Sequence, residues 1–370
     1  MSSSDNPKSG IDPARSGVAL AWGMLLLLGV AGWSACAIFM DPVPVWRGLL
    51  VNFVFFTPLS AALVVWASAV MLSRGNWLGP LERVAMSGIA VAPLSLAAFV
   101  ALWAGRSHWA ASMLSGDSHN LAWLNAPFLF ARDGVALVIW WSFALCFALS
   151  LRKGRPKVLA GWVAFLYAVV FSLIGFDMVM ALDPHWSSSL FGGYFFVSGM
   201  YAAIAFLTFV AVWQPDKSPE RLHDLGKLVV AFSIMTTYMM FSQLLPIWYE
   251  NLPAEIRFLV PRMNFAPWSM VSVGLLPVVY FGPLVLLLPI RAKRTPWYLG
   301  MICLVVVCGL WIERWWLVSP ALGLDTTLGA ADVSACAAFA GALGLGVCVM
   351  KQGPRQELDC SGGSQGNARK

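Results

Sequence analysis

The chain is 370 residues long, 59% hydrophobic and only 11% charged, with a mean hydropathy of +0.74 and 19 Trp. Soluble domains carry about 25% charged residues, so a soluble enzyme is excluded, and the net charge of +6 needs an origin other than nucleic-acid binding. A helix crosses roughly 30 Å of hydrocarbon with about 20 apolar residues, and ten runs of that kind predict an all-α, polytopic membrane protein.

In chain order the predicted helices cover 18–40, 48–72, 85–104, 129–151, 158–182, 190–213, 225–249, 265–290, 297–318 and 330–350. Breakers separate them, among them Asp41-Pro42-Val43-Pro44, Gly79-Pro80, Gln214-Pro215 and Thr295-Pro296. Ala35-Cys36-Ala37 resembles a signal-peptide cleavage site, but the apolar run before it is too long for an h-region. The expected organisation is a cytoplasmic segment over 1–17, a ten-helix membrane domain over 18–350, and a disordered cytoplasmic tail over 351–370, rich in Gly, Ser and Gln. Helices two to five and six to nine are expected to form two four-helix bundles flanked by the first and tenth.

Charge placement predicts the orientation. Of the 24 Lys and Arg, all but Arg47, Arg106, Arg132, Arg257, Arg262 and Arg314 fall at the termini or in the loops after the even-numbered helices. The positive-inside rule then puts both termini in the cytoplasm, and this topology accounts for the net charge. Two longer loops face outside, Gly105 to Phe128 with His108, Trp109, Asp117, His119 and Trp123, and Glu250 to Asn264 with Glu255, Arg257 and Arg262. The outer face is therefore the expected partner surface.

The most informative stretch runs from Ile174 to Val197. Asp177 sits inside an apolar run, six residues or about 9 Å before its outer end at 1.5 Å per residue. A carboxylate at that depth costs roughly 2.5–3.5 kcal/mol on insertion scales and usually has a function; a buried structural acid is the alternative. Asp183 before Pro184 reads either as a functional acid or as an N-cap with a first-turn proline. His185 and Trp186 follow, and Gly192-Gly193 then allows close helix approach. On the seventh helix, Thr236 and Gln243 are seven apart and share a face with Tyr238 nearby, although Ser and Thr in such helices usually bond their own backbone. Glu250 closes that helix. Glu313 and Arg314, near the end of the ninth, point about 100° apart and need not pair; they read as interfacial anchors in an aromatic belt or as working polar groups.

The four His, His108, His119, His185 and His223, lie in loops or at edges, so paired intrahelical histidines for a b-type haem are lacking. The seven Cys fit no CxxC or CxxCH spacing and read as small packing residues. No metal site is expected in this chain.

Three stretches carry a resemblance. Phe176-Asp177 through Leu182-Asp183-Pro184-His185-Trp186, with Phe191-Gly192-Gly193-Tyr194-Phe195-Phe196, is the strongest. Phe241 to Pro253 is the second, and Glu313-Arg314 with Leu317-Val318-Ser319-Pro320 is the third. Together they resemble the F subunit of alternative complex III, the bacterial quinol:electron-acceptor oxidoreductase. The chain departs from that pattern at Met178, Ala181 and Glu250. The resemblance implies the two-bundle fold of polysulfide-reductase-type (NrfD-like) membrane subunits, in the bacterial inner membrane. It also implies a sister subunit of the same fold, extracytoplasmic partners bearing haem c and iron–sulfur clusters, and a terminal oxidase as a further partner. A quinone or quinol is the small molecule it implies, with the sister subunit the better candidate for oxidising it.

The favoured expectation is a respiratory-chain subunit that supplies part of a proton path and a quinone-facing surface. The candidate proton-transfer residues are Asp177, Asp183, His185, Tyr238, Gln243, Glu250, Glu313 and Arg314. By these boundaries all the acids lie in the outward halves of their helices, which predicts a half-channel open to the outside. The alternatives are a proton-coupled secondary transporter using Asp177 and a purely structural anchor. Against the transporter, the second half shows no mid-helix carboxylate matching Asp177.

Overall fold

A computed structural model describes residues 13–75, 77–114, 123–151, 154, 156–183, 186–215, 217–250 and 256–352. Asp117, His119, Pro184, His185, Glu255, nearly all of the N-terminal segment and nearly all of the C-terminal tail lie outside the described residues. Within them, ten helices are long and apolar enough to cross a membrane. They are α1 (Pro13–Phe39), α2 (Pro42–Leu72), α3 (Leu81–Ala104), α4 (Ala126–Leu151), α5 (Lys157–Met178), α6 (Phe191–Val212), α7 (Pro219–Glu250), α8 (Trp268–Leu286), α9 (Pro296–Val318) and α10 (Ala330–Gln352).

Two helices start earlier than expected for one reason. Pro42 and Pro44 lie in the first turn of α2, and Pro219 opens α7. A proline there loses no hydrogen bond, because first-turn N–H groups have no intrahelical partner. Ser218 completes the α7 start by accepting from the Arg221 N–H at 3.2 Å. Pro42 and Pro44, which read as breakers, are helix openers.

Two other helices are not continuous. A 3-10 turn over Ser87–Val91 divides α3, and a π-turn over Leu276–Tyr280 divides α8, with Pro277 inside the turn and Pro283 three residues after it. Pro283 offers no N–H to the preceding carbonyls, and other helices take up those carbonyls. The Tyr201 hydroxyl donates to the Val279 carbonyl at 3.2 Å, and the Ser233 hydroxyl donates to that of Tyr280 at 2.8 Å. Non-helical backbone at membrane depth is tolerated when protein re-satisfies it in this way.

Helix α2 is enclosed by its neighbours over its central membrane-spanning stretch, unlike the similarly apolar α1. It packs on α5, α6, α9 and α10, while α6 packs on α5, α7 and α9. Helix α1 lies mainly along α10. The close approach expected at Gly192-Gly193 belongs to Gly192 alone. A Cβ there would lie 2.6 Å from the Phe176 ring of α5, whereas at Gly193 it would meet only the Met239 methyl at 3.6 Å. Gly175 on α5 receives Phe195 of α6 in the same manner, so each helix supplies a glycine for the other's phenylalanine.

Candidate functional site

The fold collects its buried carboxylates at one end, where the odd-numbered helices finish and the even-numbered ones begin. Asp133, Asp177, Glu313 and Asp332 are each at most 1% exposed. Three separate clusters hold them.

The first centres on Glu313 in the penultimate turn of α9. Tyr194, in the first turn of α6, and Tyr280, at the end of the π-turn in α8, both donate their hydroxyls to Glu313 Oε1. The two hydroxyls are 3.3 Å apart. The other carboxylate oxygen faces Arg314 Nη1 at 3.6 Å. Arg314 Nη2 donates to the Ser198 hydroxyl, and its guanidinium lies 4.6 Å from the Phe195 ring centre. Tyr194 and Ser198 are four apart on α6 and so share one face. Sequence neighbours that need not have paired therefore do, because long side chains curl toward each other around the helix. Glu313 and Arg314 are not interfacial anchors, since both are buried among α6, α8 and α9.

The second cluster surrounds Asp177, which lies one residue from the end of α5 and not within a continuing helix. After Val179 the chain tightens into a 3-10 turn, Met180–Leu182. Asp177 Oδ2 accepts from Arg132 Nη2 at 2.5 Å, and Oδ1 accepts from Trp123 Nε1 at 2.9 Å. The Trp123 ring also covers the Arg132 guanidinium, 3.8 Å from its centre. Asp133 stands beside them.

The third cluster ties Arg47 of α2 to Asp332 of α10 at 2.6 Å. Asn52 donates to the Asp332 carbonyl at 3.1 Å and accepts from Trp311 at 2.9 Å.

Helices α5 and α9 end alike. Each is followed by one residue and a three-residue 3-10 turn, Met180–Leu182 or Pro320–Leu322, and each buries a carboxylate near its end. The expectation that the second half lacks a counterpart to Asp177 is thus corrected: Glu313 is that counterpart. Glu313 stood among the candidates, but beside Arg and two Trp it did not read as the match of Asp177.

The other candidates divide. Asp183 has an extended backbone at φ −110°, ψ 95°, well before α6 opens at Phe191, so it is no N-cap for that helix. Its charge acts instead on Arg262, a buried side chain between α7 and α8. Arg262 donates to the carbonyls of Phe258, Leu317 and Trp316 at 2.6, 2.8 and 3.3 Å, which caps the end of α9. Burial lowers the Arg262 guanidinium to about 9, with Asp183 opposing that shift, and it stays charged at neutral pH. Gln243 is buried but donates to its own helix, at the Met239 carbonyl. Tyr238 is 63% exposed on the outside of the helix assembly, and Glu250 is exposed at the end of α7. Neither joins a cluster. His185 lies outside the described residues.

Reading the sequence missed Asp133, Tyr194, Tyr280, Ser198 and the Arg132 partnership. Only Asp133 carried a local signal, as a second acid within a membrane run. Among the described residues no three His, Cys, Asp or Glu side chains converge. A cleft of about 860 Å³, almost wholly apolar, separates α1 and α10 from α6 and α9 and is floored by α2. Trp22, Phe55, Phe209, Trp311 and Val347 are among the residues lining it.

A scan against protein-family models finds no match for this chain, and no curated protein sequence matches it.

Proposed function

We propose that this chain is an F-type membrane subunit of a quinol-oxidising respiratory complex of the alternative complex III kind, and that it carries protons through one half of the bilayer. The observation that carries the reading is Glu313, a buried carboxylate that accepts two tyrosine hydroxyls and faces an arginine at 3.6 Å. Hydroxyls that touch each other and a carboxylate form a chain along which a proton can pass. General acid–base groups of this kind work through a pKa tuned by their surroundings. The resemblance supports the assignment, because Tyr194 and the Glu313-Arg314 pair come from two of the stretches that carry it and meet in one cluster.

On this reading α2–α5 and α6–α9 are two four-helix bundles with α1 and α10 as a flanking pair. Both termini are cytoplasmic, and the clustered carboxylates face outward, as the half-channel requires. The inward leg runs through groups such as Ser233 and Thr236, or through the sister subunit. Extracytoplasmic partners hold haem c and iron–sulfur clusters, and the apolar cleft gives a quinone-facing surface. Membrane extraction in mild detergent tests this: the chain should purify inside a haem-containing complex.

One observation favours a second reading, a proton-coupled secondary transporter. Such proteins place discontinuous helices and acids in both halves, and here α3 and α8 are interrupted while α5 and α9 each bury a carboxylate. Purification as an isolated chain without haem would favour the transporter.

A further inference from the structure

Among the described residues, the cluster around Asp177 contains two carboxylates and one cation. Arg132 reaches both: Nη2 lies 2.5 Å from Asp177 Oδ2, and Nε lies 3.5 Å from Asp133 Oδ1. Asp133 and Asp177 thus flank the same guanidinium. Asp133 is fully buried and Asp177 is 1% exposed, so water screens neither. If both carboxylates were ionised, one guanidinium would face two buried negative charges, and an uncompensated negative charge at this depth is costly.

The oxygens are not equivalent. Both oxygens of Asp177 have donors, Trp123 Nε1 on one and Arg132 Nη2 on the other. That arrangement favours a charged carboxylate. Among the described residues, Asp133 has the long contact to Arg132 and its Oδ2 has no hydrogen-bond partner. A proton on Asp133 Oδ2 gives that atom something to donate and leaves one anion for one cation.

We propose that Asp133 and Asp177 share a single proton, carried on Asp133, with Asp177 as the ionised partner of Arg132. The pair is a second proton-holding site, separate from the Glu313 cluster. It deepens the proton-carrying reading by moving the exchangeable proton of the first half from Asp177 to its neighbour, and it stands on the local geometry alone. Trp123 closes the site, with its N–H on Asp177 and its ring over Arg132.

Infrared difference spectroscopy of the full-length purified protein at neutral pH reads the proton directly, as a carboxylic C=O stretch that shifts in deuterated buffer. Other buried carboxyls cancel when variant spectra are subtracted from wild type. Asp133→Asn should remove one such band. Asp177→Asn should remove it too, because Asp133 then ionises as the partner of Arg132. Thermal melting separates the two roles. Asn at 133 copies a protonated acid and should melt like wild type, whereas Asn at 177 turns an amide N–H toward Arg132 or Trp123 and should melt lower. A spectrum unchanged by both substitutions would mean that no proton is shared, and the proposal would fall. Asp133→Asn melting below Asp177→Asn would put the proton on Asp177 and overturn the assignment. Proton-linked turnover of the parent complex is measured separately. Turnover kept in Asp133→Asn together with loss of the band upholds the pair and removes it from the proton path.

Discussion

Arg47 on α2 and Asp332 on α10, 285 residues apart in the chain, pair at 2.6 Å with both side chains almost wholly buried. Arg47 also donates to the Thr327 carbonyl at 3.0 Å, and Asp332 accepts from the Gly329 N–H at 2.8 Å. The pair therefore fixes the loop before α10 as well as the helix, and it fastens α10, with α1 lying along it, to the central helix. Removing one member of a buried pair strands the other, which costs about 3–5 kcal/mol, while replacing both with apolar residues is often neutral. Arg47→Met should accordingly lower the melting temperature in detergent strongly, and Arg47→Met with Asp332→Leu should recover most of the loss. A double variant no better than the single one would mean that the pair's surroundings, and not its charge balance, hold α10 in place.

Glu313→Gln keeps the shape of the side chain and its acceptor oxygen for Tyr194 and Tyr280, but it cannot ionise or carry a proton. The variant should assemble normally and lose proton-linked turnover by about a hundredfold, the scale of a lost acid–base group. Tyr280→Phe removes one hydroxyl and leaves the Tyr194 contact, so its loss should be smaller. Full turnover in Glu313→Gln would remove the cluster from the proton path, whereas failure to assemble would make Glu313 a structural acid.

What could be read from the residues, and what could not, follows from the range of each interaction. The ten spans were legible because the bilayer sets a length and a composition for each helix, and both are local. The starts of α2 and α7 were not, because Pro42 and Pro219 have opposite meanings in the first turn and in the middle of a helix. Asp177 and Glu313 stood out as acids in apolar runs, but nothing near either named its partners. Arg132 and Tyr194 lie 45 and 119 residues away from the acids they bond. Tyr280 is further hidden, since its hydroxyl reaches Glu313 from a segment in which α8 is interrupted by a π-turn. An aromatic residue in a membrane helix reads as packing until a partner oxygen is seen.

The α5–α6 contact offers a test with its own control. At Gly192 a Cβ would press on the Phe176 ring at 2.6 Å and on Ser172 Cβ at 2.9 Å, but at Gly193 it would meet only Met239 Cε at 3.6 Å. Overpacking a tight contact costs about 1–3 kcal/mol, whereas Gly to Ala at an uncrowded helix position gains up to about 1 kcal/mol in propensity. Gly192→Ala should therefore melt lower than wild type, and Gly193→Ala should melt at or above it. Equal effects at both positions would mean that the helices separate readily and that Phe176 is not locked.

The direction of the proposed half-channel rests on which end of the fold meets the outside. Ser187 is exposed in the connection from α5 to α6, at the carboxylate end, and Ser73 is exposed just beyond α2, at the opposite end. Both are small polar positions where a cysteine should disturb little. With the seven native cysteines replaced, Ser187→Cys and Ser73→Cys can be probed separately in intact cells with a membrane-impermeant maleimide. The excess of Lys and Arg after the even-numbered helices predicts that the reagent labels position 187 and misses position 73 until the membrane is permeabilised. The opposite pattern would turn the carboxylate clusters toward the cytoplasm and make them a proton-uptake route. Labelling of both positions in sealed cells would mean that the ends are not on opposite sides, which the alternation of ten spans does not allow.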